Sequence, residues 1–202
     1  MNTSASPVEM TRFEAAWKKV ISFFRRHGAA YLFLFAIAGA SVGLDQWTKE
    51  WVRTHIPLGG DWLPPGLEWL LPYARIRHWY NTGSAFGFFK DGSLLFMMLA
   101  IIVSTAIVYL FWRVPRQEWY LRVALGLQLG GALGNLIDRL RFDGRVTDFI
   151  SVGEFAVFNI ADSSITLGVV ILALGVYLRE RALQKARRPL DEPSWAEIVE
   201  EE

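Results

Sequence analysis

Four apolar stretches, each approaching the roughly 20 residues that cross a bilayer, constrain this chain more than any other feature. They run from about Ala29 to Leu44, Ser93 to Trp112, Trp119 to Ile137 and Ile160 to Leu178. With 52% hydrophobic residues, nine tryptophans and a mean hydropathy of +0.25, the chain reads as a polytopic membrane protein rather than a soluble domain. The third stretch carries Arg122, Gln128 and Asn135, and the fourth opens on Asp162-Ser163-Ser164. Polar groups at membrane depth need partners within the protein, so both of these spans are expected inside a bundle. The expected fold is an all-α membrane protein: a four-transmembrane-helix bundle with a small β element on its outer side.

Basic residues orient the bundle. With both termini on one side, that side collects Arg12, Lys18, Lys19, Arg25, Arg26, Arg113, Arg116, Arg122 and five more after Leu178. The opposite side holds eight, five of them in one long loop, where such residues weigh less. Both termini are therefore expected in the cytoplasm. The expected organisation is a tail over residues 1–28, a membrane domain over 29–179 and a second tail over 180–202. The spans fall at about 29–47, 93–112, 119–137 and 160–178, and an external loop covers 48–92.

Within the first tail, Phe13, Trp17, Val20, Ile21 and Phe24 recur at helical spacing among basic residues. The segment is either an interfacial amphipathic helix or a partly ordered tail that merely supplies positive charge. The first span ends in Asp45-Gln46-Trp47 rather than in a small-residue cleavage site, so it reads as retained. The acidic run Glu197–Glu202 reads as a solvated end. In the external loop, Ala74–Tyr80 alternates as a strand does, Asn81-Thr82-Gly83 supplies turn chemistry, and Ala85–Phe89 resumes an apolar run. A small sheet resting on the membrane surface is the expectation, its tryptophans either interface anchors or part of a platform for an extended peptide.

Glycines mark packing faces. Gly126, Gly130 and Gly134 repeat every four residues in the third span, and Gly39 and Gly43 do so in the first. Such stripes let backbones approach closely in lipid, here more economically within one chain than between copies.

Composition closes several routes to chemistry. The absence of cysteine excludes disulfides, thiolate catalysis and cysteine-ligated zinc. His27, His55 and His78 are scattered without metal-binding spacing, so neither metal nor other cofactor is expected. A net charge of +1 gives no reason to expect nucleic acid. A serine–lysine peptidase needs a desolvated lysine, and the outer-side lysines, Lys49 and Lys90, are expected in polar settings.

Two carboxylates remain. Asp148 and Asp162 stand at the outer edge of the membrane-buried tract, where carboxylates are costly and usually functional. Brought within reach of one another, two carboxyl groups tend to share one proton. The ionised member can then take a proton from water while the protonated member polarises a carbonyl. Asp162 suits the anionic role because it lies in the first turn of a helix, which Asn159 is placed to cap. Asn135 and Arg139, at i and i+4, share a face, and Asp138 lies near it. The residues alone leave other readings open. Asp148 can be a solvated loop acid and Asp162 ordinary helix-end chemistry. The two acids with Arg139 can instead form the relay of a proton-coupled transporter, or the chain can be a scaffold presenting its tryptophan-rich loop.

Five blocks carry a resemblance: Asp45-Gln46-Trp47-Thr48-Lys49, Asn81-Thr82-Gly83-Ser84-Ala85-Phe86, Gly130 to Arg139 (GGALGNLIDR), Val146-Thr147-Asp148-Phe149-Ile150 and Phe158-Asn159-Ile160-Ala161-Asp162. In this order and at these spacings, over about Leu44–Leu178, the chain resembles the lipoprotein signal peptidases, or signal peptidases II. The resemblance implies an aspartyl endopeptidase of the bacterial inner membrane, multi-pass, with its active site on the outer side. Such an enzyme removes the signal peptide of a diacylglyceryl-modified prolipoprotein just before the lipidated cysteine. It further implies Asp148 and Asp162 as the catalytic dyad and Asn135, Arg139 and Asn159 as its polar support. Asp45 matches an important acid ending the first span. Asn81 and Gly83 match an element that contacts substrate and the cyclic peptide inhibitor globomycin. Membrane lipids and prolipoproteins are the implied partners of a monomer. Ser84 departs from the family's usual alanine, and the short connection between the aspartates implies a trimmed external helix or gate.

Overall fold

The computed structural model describes residues 7–83 and 92–191. Ser84, the apolar run Ala85–Phe89, Lys90 and the acidic end Glu197–Glu202 lie outside the described residues. The chain forms helix α1 (Pro7–His55), strands β1 (Asp61–Trp62) and β2 (Ala74–Asn81), helix α2 (Gly92–Leu110), helix α3 (Trp119–Arg141), strand β3 (Val146–Val152) and helix α4 (Ile160–Asp191). Short 3-10 turns cover Glu68–Leu70 and Phe111–Arg113.

Among the described residues, three segments are long and apolar enough to cross a membrane: Arg25–His55, Gly92–Arg113 and Ile160–Lys185. α1 is one continuous helix of 49 residues, about 74 Å at 1.5 Å per residue, more than twice a hydrocarbon core of about 30 Å. It absorbs the segment read as either an interfacial helix or a partly ordered tail, and eight residues, Thr48–His55, expected in the external loop. The reason is local: Asp45-Gln46-Trp47-Thr48-Lys49-Glu50 contains neither glycine nor proline, and the first breaker is Pro57. α4 likewise runs on through residues expected as tail, a stretch in which arginine, alanine and leucine, all good helix formers, predominate.

α3 is the hub, packed against α1, α2 and α4. The glycine stripe decides how closely. A Cβ on Gly126 would lie 2.8 Å from the Ile37 side chain, one on Gly130 2.6 Å from Ser41 Cβ, and one on Gly134 2.7 Å from an Asp45 oxygen. These partners advance by four on both helices, so α1 and α3 run parallel with their backbones in near contact. On the other flank Gly131 faces Ala161 and Ile165 of α4, while Gly168 and Gly175 of α4 face Ala124, Gln128 and Tyr120 of α3. The stripe on α3 is therefore spent on packing within the chain. Gly39 and Gly43 take no part: nothing among the described residues lies within 4 Å of a Cβ there. Gly130→Ala should cost about 1–3 kcal/mol, since neither Ser41 Cβ nor the Ala38 carbonyl at 2.8 Å can rotate away. A lowered thermal midpoint of the detergent-purified variant checks this, against an unchanged one for Gly43→Ala.

The sheet has the order β1-β2-β3 with both pairs antiparallel. β2 coincides with the strand expected from alternation. β3 was not legible, because Val146–Val152 is buried on both faces over its first four residues and shows no alternation to read. Phe149 of β3 packs with Val52 and Ile56 from the last turns of α1, so the extension of α1 seats the sheet on the bundle. Register then sets Trp79 opposite Asp148, Tyr80 opposite Thr147 and Asn81 opposite Val146.

Candidate functional site

Three elements deliver the polar residues to one place: β3 brings Asp148, the start of α4 brings Asn159 and Asp162, and α3 brings Asn135 and Arg139. α4 begins with a reciprocal cap. The Asp162 backbone N–H donates to Asn159 Oδ1 at 2.9 Å, and the Asn159 backbone N–H donates to Asp162 Oδ2 at 3.1 Å. Helix-start chemistry thereby fixes the Asp162 carboxylate in the first turn, at the positive end of the helix dipole.

Asn159 grips the second aspartate as well. Its fully buried side chain donates through Nδ2 to Asp148 Oδ1 at 2.7 Å. Asn81, at the end of β2, donates through Nδ2 to Asp148 Oδ2 at 2.9 Å. Asn135 Nδ2 donates to Asp162 Oδ1 at 2.8 Å, and its own Oδ1 accepts from Lys49 Nζ at 2.9 Å. Every carboxylate oxygen of the two aspartates thus accepts a bond from an asparagine. Asp148 is 1% exposed, and its carboxyl pKa is pushed up to about 7, first by burial and second by the neighbouring Asp162 charge.

Arg139 stands beside both carboxylates within coulombic reach and lies over the Phe96 ring at 5.3 Å. Its Nη1 reaches the Asn135 carbonyl at 3.4 Å, and its Nε has no hydrogen-bond partner among the described residues. Gly83 closes the rim: its N–H donates to Asn81 Oδ1 at 2.8 Å, its φ is +81°, and a Cβ there would strike Phe96 at 2.8 Å. Positive φ and lack of space both require glycine at this position.

Asp162, Asn135, Arg139, Asn81 and Gly83 face a cavity of about 410 Å³ whose opposite wall is Phe96, Leu99, Ala100 and Val103 of α2. Its polar groups gather at one end. The rest is apolar, apart from Gln128. Such a groove suits a hydrocarbon-bearing or apolar peptide substrate brought up to the Asp162 carboxylate, whereas Asp148 is buried and does not line it.

Asp45 does not face the cavity. It lies fully buried behind the site with Lys49, Gln46 and Asp138 in a cluster not expected from the sequence. Lys49 Nζ sits 2.9 Å from Asp45 and 3.5 Å from Asp138, and all three side chains are wholly buried. The setting of Lys49 is polar as expected but buried rather than solvated: extension of α1 turns it inward against α3, one helical turn from Asp45. Its Nζ is held by two carboxylates and an amide, which makes it an ion-pair partner. Gln46 Nε2 donates to Asp45, Asp138 and the Gly134 carbonyl at 3.0–3.1 Å. Asp45 Oδ1 accepts the Ala161 N–H and Asp138 Oδ2 the Thr147 N–H, each at 2.9 Å. One charged cluster therefore pins the residues directly preceding both site aspartates. The i, i+4 spacing of Asp45 and Lys49 was the available signal.

Between Asp148 and the start of α4 the described chain forms the rest of β3, a turn at Val152–Phe155 and a bridge from Ile150 to Phe158, with no helix. No group of three or more histidine or acidic side chains suited to a metal ion occurs among the described residues.

A family model described as signal peptidase (SPase) II matches residues 37–178. A lipoprotein signal peptidase of Acinetobacter baylyi is 39% identical over 188 residues, covering 88% of this chain and 97% of that protein. One from Pseudomonas putida is 42% identical over 150 residues, covering 69% and 83%. A solved structure described as a bacterial membrane enzyme, determined by the in meso method at 1.9 Å, superimposes with a TM-score of 0.63 at 33% identity, covering 74% of this chain and 92% of that one.

Proposed function

The chain belongs to the signal peptidase II family, a family of proteases, and on that premise we propose that it is an aspartyl endopeptidase that removes signal peptides from diacylglyceryl-modified prolipoproteins. Cleavage falls just before the lipidated cysteine, with Asp148 and Asp162 as the dyad. The observation that carries this reading is the double grip of Asn159, which binds one carboxylate through its side chain and the other through its backbone.

Asp162 has the helix dipole, two N–H donors and the Arg139 charge around it, and this setting suits it to the role of base. Asp148, buried and raised to about 7, keeps its proton below neutral pH. A water placed between them loses a proton to Asp162 as its oxygen attacks the scissile carbonyl carbon, while the Asp148 proton hydrogen-bonds to the carbonyl oxygen. Collapse of the tetrahedral intermediate breaks the C–N bond, and the proton held on Asp162 passes to the departing nitrogen. No covalent intermediate and no metal is required.

In this reading α3 is a fourth membrane span, its polar residues tolerated because α1, α2 and α4 cover it. Both termini are cytoplasmic, and the sheet and dyad lie at the outer face of the inner membrane. The membrane peptidase is residues 29–179, flanked by cytoplasmic segments 1–28 and 180–202, and it works as a monomer. The diacylglyceryl chains lie among membrane lipids against the α2 wall, and globomycin occupies the same cavity from the Asn81–Gly83 rim.

The test is cleavage in detergent of one precursor with and without the diacylglyceryl group. Release of signal peptide from the lipidated form alone is expected, and equal cleavage of both removes the lipid from the specificity. The pH profile supplies a second check. A protonated Asp148 predicts that kcat/KM declines as pH rises through about 7, tenfold per unit beyond it. A rate still level at pH 9 would assign the proton elsewhere.

A further inference from the structure

The cavity holds one polar side chain that neither the dyad nor its supports use. Gln128 of α3 lines it alongside Phe96, Leu99, Val103 and Ile165, two helical turns from Asn135. Its amide Nε2 is buried without a hydrogen-bond partner among the described residues. The side chain has little freedom, because Gly168 of α4 packs directly on its stem: a Cβ there would lie 2.7 Å from Gln128 Cγ. A buried donor with no acceptor is costly, and most such groups in native proteins have a reason. Here the donor is presented to a groove that must admit a peptide.

Building on the peptidase reading, we infer that Gln128 is a substrate-positioning residue that donates a hydrogen bond to a backbone carbonyl of the signal peptide. A signal sequence crosses the membrane as a helix, and the last four carbonyls of any helix lack intrahelical partners. Hydrocarbon offers none, so the substrate arrives with acceptors that only the enzyme can satisfy. Seven residues of α3 separate Gln128 from Asn135, about 10 Å at 1.5 Å per residue. An extended chain covers that in about three residues at roughly 3.3 Å each. Gln128 therefore meets the carbonyl about three residues to the signal-peptide side of the scissile bond, where the helix must open for cleavage. The bond fixes the depth at which the chain sits in the groove while the dyad acts at the other end.

The experiment compares wild type with Q128L and Q128M on a lipidated precursor in detergent micelles. Loss of one hydrogen bond to substrate predicts a KM raised about five- to tenfold with kcat within about twofold of wild type. Both variants should melt at or above the wild-type temperature, because an unpaired buried donor is removed; a structural glutamine would melt lower. A second precursor carries the two lipid chains through ether instead of ester links. The Q128L penalty should persist on it, and its disappearance would move the acceptor from the peptide to the lipid and overturn the assignment. An unchanged KM in both variants, or a lowered melting temperature with reduced kcat, also overturns it. Aspartate variants run in parallel keep the two readings apart: normal turnover by Asp162→Asn sinks the dyad, whereas inactive aspartate variants with an unchanged KM in Q128L sink only the role of Gln128.

Discussion

Asp148→Asn and Asp162→Asn should each lower the rate of signal-peptide release by at least about 10²-fold and by as much as about 10⁴-fold, the range general acid–base groups contribute. Asparagine keeps the size of the side chain but can neither accept the water proton nor hold one for the carbonyl. The losses should not add in the double variant, because a proton shared by two groups is removed by losing either. Folding must be separated from chemistry, and Asp148 allows that. Its folded pKa of about 7 lies above the ordinary value of 3.8, so the folded state holds the proton more tightly than the unfolded chain does. Below about pH 4 this difference vanishes. As pH rises from there to about 7 the protein loses stability through this group, and above 7 the full penalty is present. At pH 8, then, Asp148→Asn relieves an ionised buried carboxylate, and its melting temperature should equal or exceed that of wild type while its activity is lost. A variant that melts normally and cleaves normally at pH 6 would falsify the dyad.

Much of this site was legible because several residues carry two signals at once. Asp162 reads as a functional acid by its place at the membrane edge and as a helix-start acid by its distance from Asn159, and the reciprocal cap between them has that geometry. Asn135 and Arg139 were visible from i, i+4 spacing. Two things were hidden, each for a physical reason. β3 is buried on both faces, so its sequence lacks the alternation by which β2 could be read. Lys49 could not be placed because its environment depends on where α1 ends. A helix that stops near residue 47 leaves Lys49 in a polar loop, whereas one that continues to His55 drives the ammonium into the core. A helix boundary, among the least certain features of a sequence, here decides the environment of a charge.

That buried charge carries the second large effect. Lys49→Met should destabilise the protein by about 3–5 kcal/mol, the cost of breaking a buried ion pair from one side. The methionine fills nearly the same volume, so the loss is electrostatic: Asp45 and Asp138, both wholly buried, lose the ammonium 2.9 and 3.5 Å away. Asp138 keeps the Arg53 guanidinium at 3.7 Å, whereas Asp45 keeps only the amide of Gln46 and the Ala161 N–H. Asp45 should therefore be the principal source of the penalty. The double variant Asp45→Asn/Lys49→Met removes the stranded charge along with its partner and should recover a large part of the loss, a non-additivity expected only of groups in direct contact. Denaturation midpoints of the single and double variants in one detergent measure this. Strictly additive losses would mean that the lysine acts through packing alone. The ion pair also reaches the chemistry, since Lys49 Nζ holds Asn135 Oδ1 and so turns the Asn135 amide N–H toward Asp162. Any activity left in the double variant should fall below that of wild type even at temperatures where both are fully folded, because the refilled core no longer orients that amide.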